Sequence, residues 1–137
     1  MTRRFTVRVG DVEASALLHD DAHEFADQFW NALPIAGTCR QVHWSGECGY
    51  LKDEKLVNTE PIRHRPISMY SAGVIAMRPA WGEIALAYGE SQARDEHRIG
   101  AVAVHLATVD TGLAEYLQVL AAMPYTGEVA YSMSKES

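Results

Sequence analysis

The side chains with the most chemical potential cluster within residues 38–50, whose sequence is TCRQVHWSGECGY. This stretch brings His43, Trp44 and Glu47 together with both cysteines of the chain. An indole and a carboxylate on the wall of a cleft can stack on and hydrogen-bond a small polar molecule. The alternative is a core tryptophan whose N–H is satisfied by the glutamate. Trp44 and Glu47 are therefore the first candidates for a ligand site.

We interpret this stretch as two short strands joined by a tight turn at Ser45-Gly46. In that register Trp44 lies opposite Glu47 and His43 lies opposite Cys48, within side-chain reach. An imidazole beside a thiol can activate a nucleophile or hold a metal. The alternative is a buried cysteine packed on a structural histidine, because two ligands make neither a zinc site nor a catalytic triad.

Further polar side chains along the chain could contribute to the same cleft. Within residues 101–109, His105 shares a strand face with three alanines, which leaves room for a ligand or for a closely packed helix. Arg78 and Tyr88 could supply polar groups or lie at the rim with their tips in water. The basic run at 63–65 could clamp a carboxylate or phosphate, or be a solvated loop. The candidate ligand-binding residues are His43, Trp44, Glu47, Arg78, Tyr88, His105 and Arg63.

His19 and His23 have the spacing of a helical metal motif. They straddle a strand end and a helix start, so the two imidazoles need not share a face. Asp20 and Asp21, which lie between them, are explained as helix caps favoured by the helix dipole. The sequence therefore predicts no metal site, and no cofactor motif is recognised.

Hydrophobic periodicity supplies the elements that must position these residues. Alternation predicts an N-terminal hairpin of strands 5–9 and 12–18, and a helix over 22–33 ended by Pro34. Strands are expected at 71–78, 83–88, 101–109 and 129–133, with a second helix over 111–123. Residues 52–68 and 89–99 are expected to be long loops of the kind that bind ligands. About eight strands and two helices predict a mostly β, closed or nearly closed antiparallel barrel.

Composition narrows the class of protein. The 137 residues are expected to form one domain, and a net charge of −6 argues against a nucleic-acid partner. No apolar run is long enough to span a bilayer, so no membrane partner is expected. The N-terminal residues alternate like a strand and do not resemble a signal peptide, and cysteine occurs only twice. We therefore expect reduced thiols and a cytoplasmic location.

Three motifs carry a resemblance to a known family: the helix pattern AxEFxxxFWxxLP, the run from Val42 to Glu47, and Ala87-Tyr88-Gly89. Together they resemble the cyclophilin-like barrel, and more narrowly a bacterial family of small cyclophilin-like proteins of unknown function. That family more often carries a histidine at the place of Gln41 and an arginine at the place of His43. The resemblance implies the barrel fold. It does not imply prolyl isomerisation, because no Phe-x-x-Gln segment follows the strand arginine Arg78.

The leading functional hypothesis is a small protein that binds a small polar or anionic molecule in a cleft at one end of the barrel. In that reading Trp44 supplies an apolar surface, Glu47 and His43 form hydrogen bonds, and Arg78 or Arg63 neutralises charge. The second hypothesis is a hydrolase or isomerase that uses His43, Glu47 or His105 as acid or base, with prolyl isomerisation less favoured. The third is a non-catalytic interaction module or homo-oligomer that uses surface residues such as Trp81.

Overall fold

Eight antiparallel strands close into a ring in the computed structural model, which describes residues 2–94 and 101–136. The strands are β1 (Arg4–Val9), β2 (Val12–Leu18), β3 (Ile35–Gln41), β4 (Gly46–Lys52), β5 (Pro66–Ile67), β6 (Met69–Tyr70), β7 (Val74–Arg78), β8 (Glu83–Gln92), β9 (Ala103–Thr111) and β10 (Glu128–Lys135). The ring follows the order β2-β1-β10-β3-β4-β8-β7-β9 and closes where β9 pairs with β2. The two-residue strands β5 and β6 add to β9 and β8 outside the ring. The predicted eight-stranded barrel is confirmed.

Within the described residues, three α-helices accompany the barrel: α1 (Glu24–Ala32), α2 (Leu113–Ala121) and α3 (Met123–Thr126). Helix α2 packs against β1, β2, β4 and β8, and its Tyr116 and Leu120 are fully buried in the main core. The apolar face of α1 buries Phe25 and Phe29, and the Phe29 ring meets Phe5 of β1 edge-on at 4.9 Å between centroids. Aromatic and aliphatic side chains from the strands and both longer helices therefore form one continuous core.

A second apolar cluster lies on the outer face of β4, β7, β8 and β9. Along β8, for example, Ile84 and Leu86 belong to the main core, whereas Ala85 and Ala87 belong to the outer cluster. Such a strand is buried on both faces. Tyr70 and Ala93 belong to the same outer cluster, so the segments around β6 and after β8 cover this face. Of the alanines expected to leave room beside His105, Ala103 packs in this outer cluster and Ala107 in the main core.

The two helical regions differ from the sequence-based expectation at their ends. Residues Asp20–Ala22 form a separate 3-10 turn, and His23 precedes α1 without a side-chain cap. The aspartates are not caps here, because Asp20 pairs with Arg3 and Asp21 pairs with Arg65. The second helix was expected to run to 123, but it ends at Ala121. Pro124 lies in the first turn of α3, where its missing N–H costs no hydrogen bond.

Two strands are longer than their apolar patterns predicted. Strand β8 continues through Gly89 to Gln92, into residues expected to be a charged loop, because pairing with β4 and β6 extends to Ser91 and Gln92. Residues 95–99 of that expected loop lie outside the described residues. Strand β10 continues to Lys135, which pairs with Phe5 of β1. Closure of the ring therefore supplies hydrogen-bond partners to residues with no strand pattern of their own.

Among residues 2–94 and 101–136, no helix has the length and apolar character needed to cross a membrane.

Candidate functional site

The β3–β4 hairpin has a different register from the one predicted. Arg40 pairs with Tyr50, Gln41 pairs with Gly49, and the Val42 N–H donates to the Cys48 carbonyl at 3.0 Å. Five residues, 43–47, and not a two-residue turn, therefore connect the paired parts of the two strands. The last two of the five, Gly46 and Glu47, belong to β4 through its pairing with β8. A shift of one residue moves side chains to the opposite face of the sheet.

The register shift separates the residue pairs that the sequence suggested. The predicted pairing of His43 with Cys48 is wrong, because both His43 and Trp44 lie in the loop. Cys39 faces the main core, whereas Cys48 lies in the outer cluster. Burial raises the pKa of each thiol to about 12, so both stay protonated near neutral pH. These cysteines are packing residues in this fold.

A cleft of about 370 Å³ opens between this hairpin and α3. We call it the hairpin cleft, and it is lined by Arg40, Gln41, His43, Tyr50, Met123, Pro124 and Gly127. Its polar groups come from β3, β4 and the loop, whereas its apolar wall comes from α3 and the Tyr50 ring. Of the sequence-based candidates, only His43 lines this cleft.

Tyr88 does not line the hairpin cleft, but it hydrogen-bonds the lining residue Gln41. The Tyr88 hydroxyl donates to Gln41 Oε1 at 2.6 Å, and Gln41 Nε2 donates to the carbonyls of Val42 and Gly46 at 2.9 and 3.1 Å. Burial raises the pKa of the Tyr88 phenol, which keeps it a donor. Tyr88 and Gln41 therefore connect β8 to both ends of the 43–47 connection.

Trp44 and Arg78 converge on one backbone oxygen. Trp44 Nε1 donates to the Arg94 carbonyl at 3.0 Å, and Arg78 Nη1 donates to the same oxygen at 2.9 Å. The indole N–H is thus satisfied by the backbone and not by Glu47. The Trp44 ring lies 6.2 Å from the ring of Tyr50, measured between centroids. Trp44 therefore packs against Tyr50, whose ring forms the aromatic wall of the hairpin cleft.

Glu47 is exposed and lies over Gly89 of β8. A Cβ atom at position 89 would lie 2.5 Å from Glu47 Oε1, so a side chain there would displace the carboxylate of Glu47. Arg63 is also exposed, in the connection before β5. Neither residue lines the hairpin cleft, so the structure does not bring the predicted residues together in one site.

His105 belongs to another group of side chains, on the outer face of β9. Its Nδ1 lies 2.9 Å from Arg65 Nη2, and its Nε2 lies 3.1 Å from Thr108 Oγ1. Thr108 Oγ1 is also 2.8 Å from Nε2 of His19, and the two imidazoles meet edge-on at 4.7 Å between centroids. Arg65 extends this series of hydrogen bonds to Asp21, because its Nη1 donates to Asp21 Oδ2 at 3.1 Å.

Burial is the main reason why His105 is held neutral. Desolvation, with smaller contributions from His19 and Arg65, lowers the pKa of His105 to about 4. Desolvation and the Arg65 charge also lower the pKa of His19. Next to this group the rings of His23 and His64 meet at 4.2 Å. Four of the six histidines therefore lie in this region.

The sequence indicated His105 but missed its partners. Arg65 was noted only as part of a basic run, and Thr108 gave no signal at all. His23 and Arg65 have φ angles of 53° and 49°, which residues with a Cβ rarely adopt. Nothing in the local sequence indicates this backbone conformation. In the described part of the chain, no three His, Cys, Asp or Glu side chains stand close enough to hold one metal ion.

Comparison with known proteins shows the fold and leaves the family open. No protein-family model matches the chain, and no curated protein matches it in sequence. The structure of McbB in complex with tryptophan is similar with a TM-score of 0.74 at 17% identity, covering 97% of this chain and 45% of that chain. The solution structure of the hypothetical protein AF2241 from Archaeoglobus fulgidus has a TM-score of 0.66 at 17% identity, covering 98% and 95%.

The present chain therefore spans less than half the length of the McbB chain that it matches. At 17% identity these likenesses support the barrel fold alone. Membership of the bacterial cyclophilin-like family stays a prediction.

Proposed function

We propose that this protein binds a small aromatic carboxylate in the hairpin cleft. The observation that carries the proposal is the meeting of a guanidinium, an imidazole and an aromatic ring, from Arg40, His43 and Tyr50, in one cleft. A few convergent polar groups beside apolar and aromatic surface are typical of small-molecule sites. The volume of about 370 Å³ lies within the usual range for such sites.

Arg40 is the group that would receive the ligand carboxylate. Its Nε lies 3.3 Å from Glu128 Oε2, and both side chains are more than half exposed. Surface ion pairs of this kind contribute little stability, so a ligand carboxylate can replace Glu128 at small cost. A planar guanidinium also binds carboxylates in a two-pronged geometry. His43, at the edge of the loop, adds a second hydrogen-bonding group.

Tyr50 and the exposed Pro124 would hold the aromatic part of the ligand. The Tyr50 ring packs against Trp44 on its other side. Tryptophan, present in the McbB complex, combines an aromatic ring with a carboxylate. This fold neighbour supports the choice of ligand class but does not identify the ligand.

Titration of the protein with tryptophan, followed by NMR and by calorimetry, tests the proposal. We expect saturable binding with a Kd on the order of 0.1–1 mM, and much weaker binding of tryptamine, which lacks the carboxylate. Arg40→Gln is expected to weaken binding about tenfold, because one charge-assisted pair is lost. Tyr50→Ala is expected to weaken it similarly through loss of the aromatic wall.

Arg8→Gln is the matched control, because Arg8 is likewise an exposed strand arginine with a surface partner, Glu13. It should bind tryptophan as the wild type does. Equal affinity of the wild type and Arg40→Gln, or equal affinity for tryptophan and tryptamine, would contradict the proposal.

The acid–base enzyme and the interaction module stay predictions. His43 and His105 lie in different groups of contacting side chains and do not form one catalytic set.

A further inference from the structure

A small, partly enclosed cavity lies against β4 and β8, beside Gln92 and Arg94. We call it the polar cavity, and its lining includes Ser45, Cys48, Tyr70, Arg78, Glu83 and Arg94. It offers about 10 Å³ of space for the centre of a water-sized sphere. That is the space needed by about one water molecule.

Two polar atoms of this lining are buried without a hydrogen-bond partner among the described residues. They are the hydroxyl of Tyr70, a residue only 4% exposed, and Nε of Arg94. Buried donors and acceptors in native proteins almost always have partners, because an unmet one keeps the full cost of losing water. Two such atoms on the wall of one water-sized cavity indicate a guest, that is, a small molecule or ion bound in the cavity.

We propose that the polar cavity binds one water molecule that joins Tyr70 to Arg94. Arg94 Nε can only donate, so the guest must accept a hydrogen bond. The Glu83 carboxylate on the same wall can accept, so a guest that also donates is favoured. Water does both, whereas a halide ion only accepts and could not donate to the Glu83 carboxylate.

This water site has a consequence for Trp44. The Arg94 carbonyl accepts hydrogen bonds from both Trp44 Nε1 and Arg78 Nη1. A water that anchors the Arg94 side chain therefore also holds the backbone acceptor of the Trp44 indole. The polar cavity is thus a positioning site for the aromatic wall, whether or not the hairpin cleft binds an aromatic carboxylate.

The sign of a stability change separates a hydrated cavity from an empty one. If water is bound, Tyr70→Phe removes one of its partners, and the thermal midpoint should fall by about 3–5 °C. If the hydroxyl has no partner at all, removing it should raise the midpoint. Tyr116→Phe is the matched control, because its hydroxyl is also buried with no partner in the described part of the chain but does not line the polar cavity. That variant should keep or raise the midpoint.

Crystallography and NMR give direct readouts. A crystal structure grown without halide should show one density peak within hydrogen-bond distance of Tyr70 Oη and Arg94 Nε. In the 15N spectrum, Tyr70→Phe should shift the Trp44 indole N–H resonance, whereas Tyr116→Phe should leave it in place. An empty cavity, an anomalous peak after exchange into bromide, or a raised midpoint for Tyr70→Phe would overturn the proposal.

Discussion

Arg65 and His105 are joined by three hydrogen bonds, and one of them fixes the tautomer of the imidazole. Arg65 Nε donates to the His105 carbonyl at 3.0 Å, and the His105 N–H donates to the Arg65 carbonyl at 2.9 Å. The third contact joins Arg65 Nη2 to His105 Nδ1 at 2.9 Å. A guanidinium only donates, so Nδ1 accepts and the imidazole proton resides on Nε2.

The direction of the bond between His105 and Thr108 follows from that tautomer. His105 Nε2 donates to Thr108 Oγ1, and the Thr108 hydroxyl proton is then free to point at Nε2 of His19. The Thr108 oxygen can also accept a second hydrogen bond, so this contact alone does not fix the tautomer of His19. Protonation of His105 at Nδ1 places a donor against the Arg65 guanidinium, in addition to the cost of burying the charge.

We expect the stability of the protein to fall with acid because of His105. Its ordinary pKa of 6.5 is lowered in the fold to about 4, so the unfolded chain binds the proton more tightly than the folded one. The stabilisation from neutral His105 is complete above pH 6.5 and is lost as the pH falls towards 4. Urea unfolding between pH 4 and 8 measures this loss. His105→Gln should flatten the profile, whereas His43→Gln, which removes an exposed histidine, should not.

We expect glycine to be better tolerated than alanine at position 65. Both Arg65→Gly and Arg65→Ala lose the guanidinium contacts, so their difference reports the backbone with its φ of 49°. Glycine adopts this region freely, and Arg65→Gly should be the more stable of the two by about 0.5–1 kcal/mol. Chemical denaturation measures the difference. The same pair of variants at Arg63 should show the opposite order, and an alanine advantage at position 65 would refute the prediction.

Gly49 of β4 should not accept a side chain. A Cβ there would lie 2.6 Å from Met123 Cε and 2.7 Å from Cys39 Sγ. Overpacking of this kind costs about 1–3 kcal/mol, so Gly49→Ala should lower the free energy of unfolding by that amount. In combination with Met123→Ala, the loss should be smaller than the sum of the two single losses, because one overlap is relieved. Additive losses in denaturant titrations would show that the clash is not the cause.

Both cysteines should be unreactive in the folded protein. Cys39 and Cys48 are buried, and burial raises the pKa of each thiol to about 12, so little thiolate is present at pH 8. Ellman's reagent at pH 8 should label neither thiol in buffer and both in guanidinium chloride. Rapid labelling of one thiol in buffer would show that the fold opens around it.

Local patterns were sufficient for the elements and for the fold class. Strands such as β1 and β2 alternate apolar and polar residues because one face of each strand is buried in the barrel. The helix stretch containing Phe25 and Phe29 has its buried residues on one side for the same reason. The need to remove exposed edges then favoured closure of about eight strands. All of these signals depend on neighbours in the sequence.

The arrangement of the candidate sites depended on contacts between distant residues. The register of the β3–β4 hairpin is set by the partners of both strands, β10 and β8, and not by its own turn residues. Arg65 reaches His105 from 40 residues away in a backbone conformation that its own sequence does not favour. The sequence alone thus determined the eight strands of the barrel and the two longer helices, but not the short elements β5, β6 and α3. Only the tertiary structure decided which polar groups meet, because hydrogen-bond partners and desolvation arise when separate strands pack together.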